Sequence, residues 1–187
     1  MKTAVEWLRD ALGYECRDSA LLDAALTHRS AGGPHNERLE FLGDAVLNCV
    51  VATLLFREFA NADEGELSRF RSSLVNGDAL ALIAAEIGLG DQLRLGSGEL
   101  KSGGFRRKSI LADSLEALFG AIYLDGGFDA AATVIERLFV PRLDRLPSAA
   151  ELKDPKTRLQ ETLQARGLPL PGYAVDSVSG EAHNQGF

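Results

Sequence analysis

The segment NERLEFLGDAVLNCVVATLLF, residues 36 to 56, limits the possible folds more than any other part of the chain. Wound as a helix, its second half is apolar on almost every side, so it has to be enclosed rather than laid on a surface as an ordinary amphipathic helix is. Its first half nevertheless carries Glu37, Arg38, Glu40 and Asp44. Glu40 and Asp44 stand four residues apart, one helical turn, and face the same way. A second segment, ILADSLEALFGAIYLDGG, repeats the arrangement with Asp113 and Glu116 three residues apart. Each is built from Leu, Val, Ile, Ala and Phe, and each breaks that pattern with one stacked acidic pair.

Acidic pairs at this spacing are commonly the solvated faces of amphipathic helices. Two arguments oppose that reading. Like charges one turn apart destabilise a helix by about 0.2–0.5 kcal/mol per pair. Residues 45 to 56 also leave almost no polar face to turn towards water, so the acidic start lies near buried surface. A carboxylate cluster in that setting is protonated, paired or bound to a cation. Four oxygen donors with no histidine or cysteine among them suit a hard cation, Mg²⁺ with Mn²⁺ as its substitute, which completes its shell with water and a substrate phosphate. That points to phosphoryl chemistry. A di-iron bundle asks instead for Glu-x-x-His, and none of His28, His35 and His183 follows a glutamate by three.

At 187 residues and 45% hydrophobic, the chain suffices for one core domain and an appendage. No window reaches the roughly 18 uninterrupted apolar residues of a membrane span, and the N-terminus lacks the layout of a secretory signal. The expectation is a cytoplasmic protein with no membrane partner and no organic cofactor. Cys16 and Cys49, without a CxxC or a nearby histidine, read as reduced thiols. The net charge of -7 argues against a nucleic-acid partner. Against that average, LRLGSGELKSGGFRRKS gathers Lys101, Arg106, Arg107 and Lys108 opposite Glu99 alone.

Apolar spacing predicts short helices over AVEWLRDAL and SALLDAALTH, a loop, and a long helix from 37 to about 59 with Asn36 as its N-cap. Two helices follow, then the glycine-rich basic loop. Ser109 is the expected cap of the next helix, which places Asp113 and Glu116 in its first turns, where the positive dipole end favours ionised carboxylates. A last helix bends before Pro141. After the linker PSAAELKD, Asp154 reads as an N-cap with Pro155 at the first helical position and Gly167 as the stop. YAVDSVSG then alternates as a half-buried strand does.

These residues are recognisable as a set. HNERLEFLGDAVL resembles the signature of the ribonuclease III family, and LLDAALTHRS, DEGELSRFRSSLV, GELKSGGFRRKSILADSLEALFGAIYLD and DPKTRLQETLQARGLPLPGY follow in the order of the bacterial enzymes. The resemblance covers nearly the whole chain. It implies an all-α endonuclease domain over 1–147, a linker over 148–153, and over 154–187 the start of an α+β double-stranded-RNA-binding domain, expected to be a fragment. It implies a homodimer that cuts both strands of duplex RNA to leave 5′-phosphate and 3′-hydroxyl ends, in processing of ribosomal, messenger and transfer RNA precursors. Glu40, Asp44, Asp113 and Glu116 fall at the catalytic, metal-holding positions. Glu37 and Glu64 match supporting acidic positions, although a surface pair of Glu37 with Arg38 and a helix-start role for Glu64 stay open.

For the C-terminal module the resemblance places Thr157, Gln160 and Glu161 on a helix face meeting an RNA minor groove, and His183 in a following loop. Short polar groups can meet 2′-hydroxyls there without reading sequence, and ordinary exposed polar residues would look the same. The basic loop, Lys101 and residues 106–108, is expected on the duplex backbone. The dimer has a sequence argument as well: an all-round apolar helix in a domain of about 150 residues is easier to enclose with a partner on one side, although the centre of a monomeric bundle would also serve. The alternative function is a non-catalytic RNA or ribosome scaffold of the same fold. A scaffold has no reason to carry all four carboxylates, and a generic acidic metal-binding bundle does not account for the basic loop.

Overall fold

A computed structural model describes residues 2–148, 151–152 and 155–172. The chain divides into two compact units, Met1–Ala149 and Ala150–Phe187. The first unit is a helical bundle. Its helices are α1 (Ala4–Leu12), α2 (Ser19–Ala25), α3 (Glu37–Glu58), α4 (Glu64–Val75), α5 (Gly77–Glu86), α6 (Ser97–Lys101), α7 (Lys108–Gly126) and α8 (Phe128–Leu143). Single 3-10 turns at Arg29–Ala31, Leu89–Gln92 and Gly104–Arg106 join them.

Helices α3 and α7 are the axis of the bundle, with α2, α4, α5 and α8 packed round them. On α7, Leu115, Ala117, Leu118 and Phe119 have no exposure at all. Small side chains make the close approach possible: Ala25, Leu39, Ala117 and Ala121 form one buried cluster where α2, α3 and α7 meet. Two glycines carry this to the limit. A Cβ on Gly43 would come 1.8 Å from the carbonyl oxygen of Glu116, and one on Gly120 would come 2.2 Å from that of Leu39. The two helices therefore touch backbone to backbone, which only a residue without a side chain permits.

By length and composition α3 could cross a bilayer. Here it is a bundle helix, burying Val46, Leu47, Val50, Val51, Leu54 and Leu55. This chain alone does not enclose it fully. Phe41 is 82% and Phe56 72% exposed, and Ala45, Cys49 and Thr53 continue an uncovered stripe between them.

Several local expectations are corrected. Asn36 precedes α3 but adopts helical backbone angles and makes no capping bond; buried, it donates from Nδ2 to the buried Ser114 Oγ at 3.3 Å and ties α3 to α7. Helix α7 begins at Lys108, so Ser109 lies inside it, and Arg107 takes the cap position without a side-chain bond. The supposed basic loop holds α6 and a 3-10 turn. Pro141 lies inside α8, where it removes the N–H that would have met the Arg137 carbonyl, and the helix ends two residues later at Leu143.

In the second unit, α9 (Pro155–Ala165) starts at Pro155, and Gly167 follows it with φ +64°, the left-handed stop that glycine supplies. Thr157, Gln160 and Glu161 share one face of α9 by their spacing. The cap Asp154, the strand expected at 173–180 and His183 lie outside the described residues. Among the described residues there is no strand, only an isolated bridge between Thr27 and Arg94.

Candidate active site

The backbone contact of α3 with α7 falls where the acidic residues are. Gly43 is between Glu40 and Asp44, and its contact on α7 is the carbonyl of Glu116 itself. As a result Glu40, Asp113 and Glu116 each offer a carboxylate oxygen within 4.8 Å of the others. All three are half-buried. Among the described residues none has a guanidinium, ammonium or imidazole within ion-pair distance.

Their proton affinities reflect that crowding. Burial, then the charges of Asp44, Glu40 and Asp113, push Glu116 up to about 7. Glu40 is raised by burial and by Asp113, Glu37 and Asp44. Burial also raises Asp113, with His28 and Arg29 pulling in the opposite direction. The expected help from the helix dipole is absent, because no acidic residue lies in the first turn of α7 and the dipole's effect fades beyond that turn.

Of the four carboxylates expected together, three converge and Asp44 stands aside. Asp44 is exposed, and its Oδ1 accepts a 2.8 Å hydrogen bond from Asn48 Nδ2. Its charge still acts on Glu40 and Glu116. Glu37 pairs with Arg29 Nη1 at 3.1 Å and approaches His35 Nδ1 at 3.8 Å, rather than pairing with Arg38. Glu64 begins α4, accepts from Ser68 Oγ at 3.0 Å, and lines a separate apolar cavity of about 500 Å³ beside Phe56 and Arg71.

A polar cavity of about 410 Å³ adjoins the cluster, lined by Glu40 and Asp113 with His28, Arg29, Ser30 and Arg107 among others. The basic segment is less free than its composition implies. Arg107 pairs with Glu99 at 3.0 Å and Lys108 with Asp78 at 2.8 Å, while Arg106 lies over the Phe105 ring at 4.9 Å.

The donor set fits a hard divalent cation. It is all carboxylate oxygen, it has no cationic partner among the described residues, and it costs free energy to keep ionised. Adjacent oxygens around an octahedral Mg²⁺ stand about 3 Å apart, so carboxylates spaced by up to 4.8 Å have to draw together to hold one directly. Sequence reasoning missed Gly43, Gly120, the Asn36–Ser114 bond and Arg29. The two glycines did leave a signal, since glycine inside a helix costs about 1 kcal/mol relative to alanine and implies a packing reason.

Comparison with known proteins gives a concordant result. The family profile Ribonuclease-III-like matches residues 18–143. The chain is 60% identical over 187 residues to Ribonuclease 3 of Alkalilimnicola ehrlichii, all of this chain and 82% of that protein, and 57% identical to Ribonuclease 3 of Aromatoleum aromaticum, covering 83% of it. Among solved structures, the nuclease domain of ribonuclease III from Campylobacter jejuni superposes with a TM-score of 0.73 at 45% identity, over 79% of this chain and 100% of that one. A second structure of that domain, described as showing flexibility in a region involved in dimer formation, gives 0.72 at 46% identity over 75% and 99%.

Proposed function

The chain belongs to the ribonuclease III family, and from that premise we propose that Glu40, Asp44, Asp113 and Glu116 form its metal-holding catalytic centre. The protein is an endoribonuclease of double-stranded RNA that acts in the processing of RNA precursors. The observation that carries the site assignment is the convergence of three unpaired carboxylates from two helices held backbone to backbone at Gly43 and Gly120.

A divalent cation bound there, Mg²⁺ or Mn²⁺, supplies positive charge to the phosphodiester and acidifies a water for in-line attack with departure of the 3′ oxygen. The chain's part is to place the ligands. Glu40 reaches in from the first turn of α3, and Asp113 and Glu116 from successive turns of α7. Asp44 joins them by turning from Asn48. In the metal-free protein Glu116 holds a proton on its carboxyl part of the time near neutrality, which relieves the repulsion; with a cation held there the ionised carboxylate is favoured and the proton is released to solvent. Glu37 holds Arg29 at the mouth of the site.

The active form is a homodimer. The uncovered stripe on α3, with Phe41 and Phe56 at its ends, is the kind of exposed apolar surface that a partner covers. Glu64, beside Phe56 in the apolar cavity, acts in support from that face. Residues 154–187 belong to a double-stranded-RNA-binding domain after a linker at 148–153. Its Thr157, Gln160, Glu161 and His183 meet the minor groove, while Lys101, Arg106, Arg107 and Lys108 meet the duplex backbone. The expected place of action is the cytoplasm, where RNA precursors are made.

The test is cleavage of an end-labelled RNA duplex by the wild-type chain with Mg²⁺, with EDTA, and by Glu116→Ala with Mg²⁺. Only the first should cut, leaving 5′-phosphate ends, with the variant still folded. Duplex binding without cutting in any arm would return the scaffold reading.

A further inference from the structure

The cavity beside the cluster holds four carboxylates, Glu37, Glu40, Glu99 and Asp113, and two guanidiniums, Arg29 and Arg107. A divalent cation held by the cluster offsets part of this negative charge. An incoming phosphodiester then has to be met by donors already in the cavity, and the guanidiniums are the ones that can present two N–H groups to it.

Arg29 is mounted for this. It opens the 3-10 turn Arg29–Ala31, which is fixed on both sides. His28 N–H donates to the Arg94 carbonyl at 3.0 Å, and Gly96 N–H donates to Ser30 Oγ at 2.9 Å. The chains approach so closely that a Cβ on Gly96 would stand 2.1 Å from the Ser30 carbonyl oxygen. His28 Nδ1 also accepts from the Ser30 N–H at 3.2 Å. The backbone is therefore held, while the Arg29 side chain is 70% exposed and reaches Glu37 Oε1 at 3.1 Å. An ion pair as exposed as this contributes little stability, so its exchange for a bidentate phosphate is favoured. The Arg29 charge also reaches Asp113 and Glu40, opposing the rise that burial imposes on each.

We propose that Arg29 is a phosphate-positioning residue: on RNA binding its guanidinium leaves Glu37 for a backbone phosphate of the strand lying over Glu40, Asp113 and Glu116. Glu37 is then the resting partner that keeps Arg29 in place before substrate arrives. Arg107, paired to Glu99 in the same cavity, makes the corresponding exchange on the segment leading into α7. The proposal rests on the reading of the protein as a double-stranded-RNA endonuclease.

The experiment compares wild type, Arg29→Ala and Arg29→Lys. Equilibrium binding of a labelled RNA duplex is measured in EDTA across a KCl series, steady-state cleavage is measured with Mg²⁺, and folding is checked by thermal unfolding. Arg29→Ala should weaken binding about tenfold or more, as expected for one charge-assisted contact, raise KM by a similar factor, and lower the slope of log affinity on log salt by about one. Arg29→Lys, keeping the charge but not the fork, should keep the wild-type slope with intermediate affinity. Unchanged affinity and slope in Arg29→Ala, with wild type cutting normally, overturns the proposal alone. A weakened affinity with unchanged slope also overturns it, since that marks a structural role. A wild type that neither binds nor cuts duplex RNA overturns the reading beneath it.

Discussion

Burial and three neighbouring carboxylates hold Glu116 near a pKa of 7 in the metal-free protein, well above its value in an unfolded chain. A carboxyl raised by folding contributes its stability below the unfolded value and loses it as pH rises through the folded one. In EDTA the Tm of wild type should therefore fall between about pH 4.5 and 7 relative to Glu116→Gln, whose amide cannot ionise, and Mg²⁺ should close the gap at pH 8. Thermal scans over that range check this, and parallel profiles for the two proteins would contradict it. With Mg²⁺, Glu116→Gln should lose cleavage by about 10²-fold or more, the usual cost of removing one charge-stabilising group. The acidic spacing made these positions legible in the sequence, because like charges one turn apart on apolar helices need a reason. What spacing left open is which of the four converge: Asp44 turns to Asn48, a choice made by side-chain hydrogen bonding in the folded molecule. Asn36 shows the same limit, since its residue type fits a cap while its buried bond to Ser114 depends on a helix 78 residues away.

At the scale of elements, the site exists because α3 and α7 meet without side chains between them. Gly43→Ala would place a methyl group 1.8 Å from the Glu116 carbonyl oxygen, so the helices must part. The expected loss is about 1–3 kcal/mol, as for other overpacked contacts, with a fall in cleavage larger than the stability change accounts for. Gly77→Ala, where an added Cβ meets nothing within 4 Å, is the control and should leave both near wild type; chemical denaturation with kcat measurements separates the two. Most helices were legible from apolar period and glycine breaks, α1 to the residue. The 97–108 segment was not, because α6 and its neighbouring turn are too short to show a period and are held by side-chain and close-packing contacts within the segment: Glu99 takes Arg107, and Gly104 packs on the Glu99 carbonyl. This changes the expectation for RNA binding. Lys101 and Arg106 form no ion pair among the described residues, so reversing Arg106 to Glu should flatten the salt dependence of duplex binding more than reversing Lys108, which Asp78 already opposes.

At the scale of the whole molecule, one chain leaves its most apolar helix partly uncovered. The enclosure demanded by residues 45 to 56 was legible as a requirement, whereas the face left open depends on how α2, α4 and α8 pack. Phe41, 82% exposed, is buried by the partner in the proposed dimer, so Phe41→Asp should give a monomer in sedimentation velocity with wild-type helical content. A dimer surviving that change would remove this face from the interface. The carboxylates themselves are tested by Mn²⁺ binding to the intact protein, followed by the loss of the free-ion EPR signal, for wild type, Glu40→Gln and Glu116→Gln. Saturable binding by wild type that disappears in both variants is the predicted result. Equal Mn²⁺ uptake by all three proteins would contradict the claim that these side chains hold the catalytic cation.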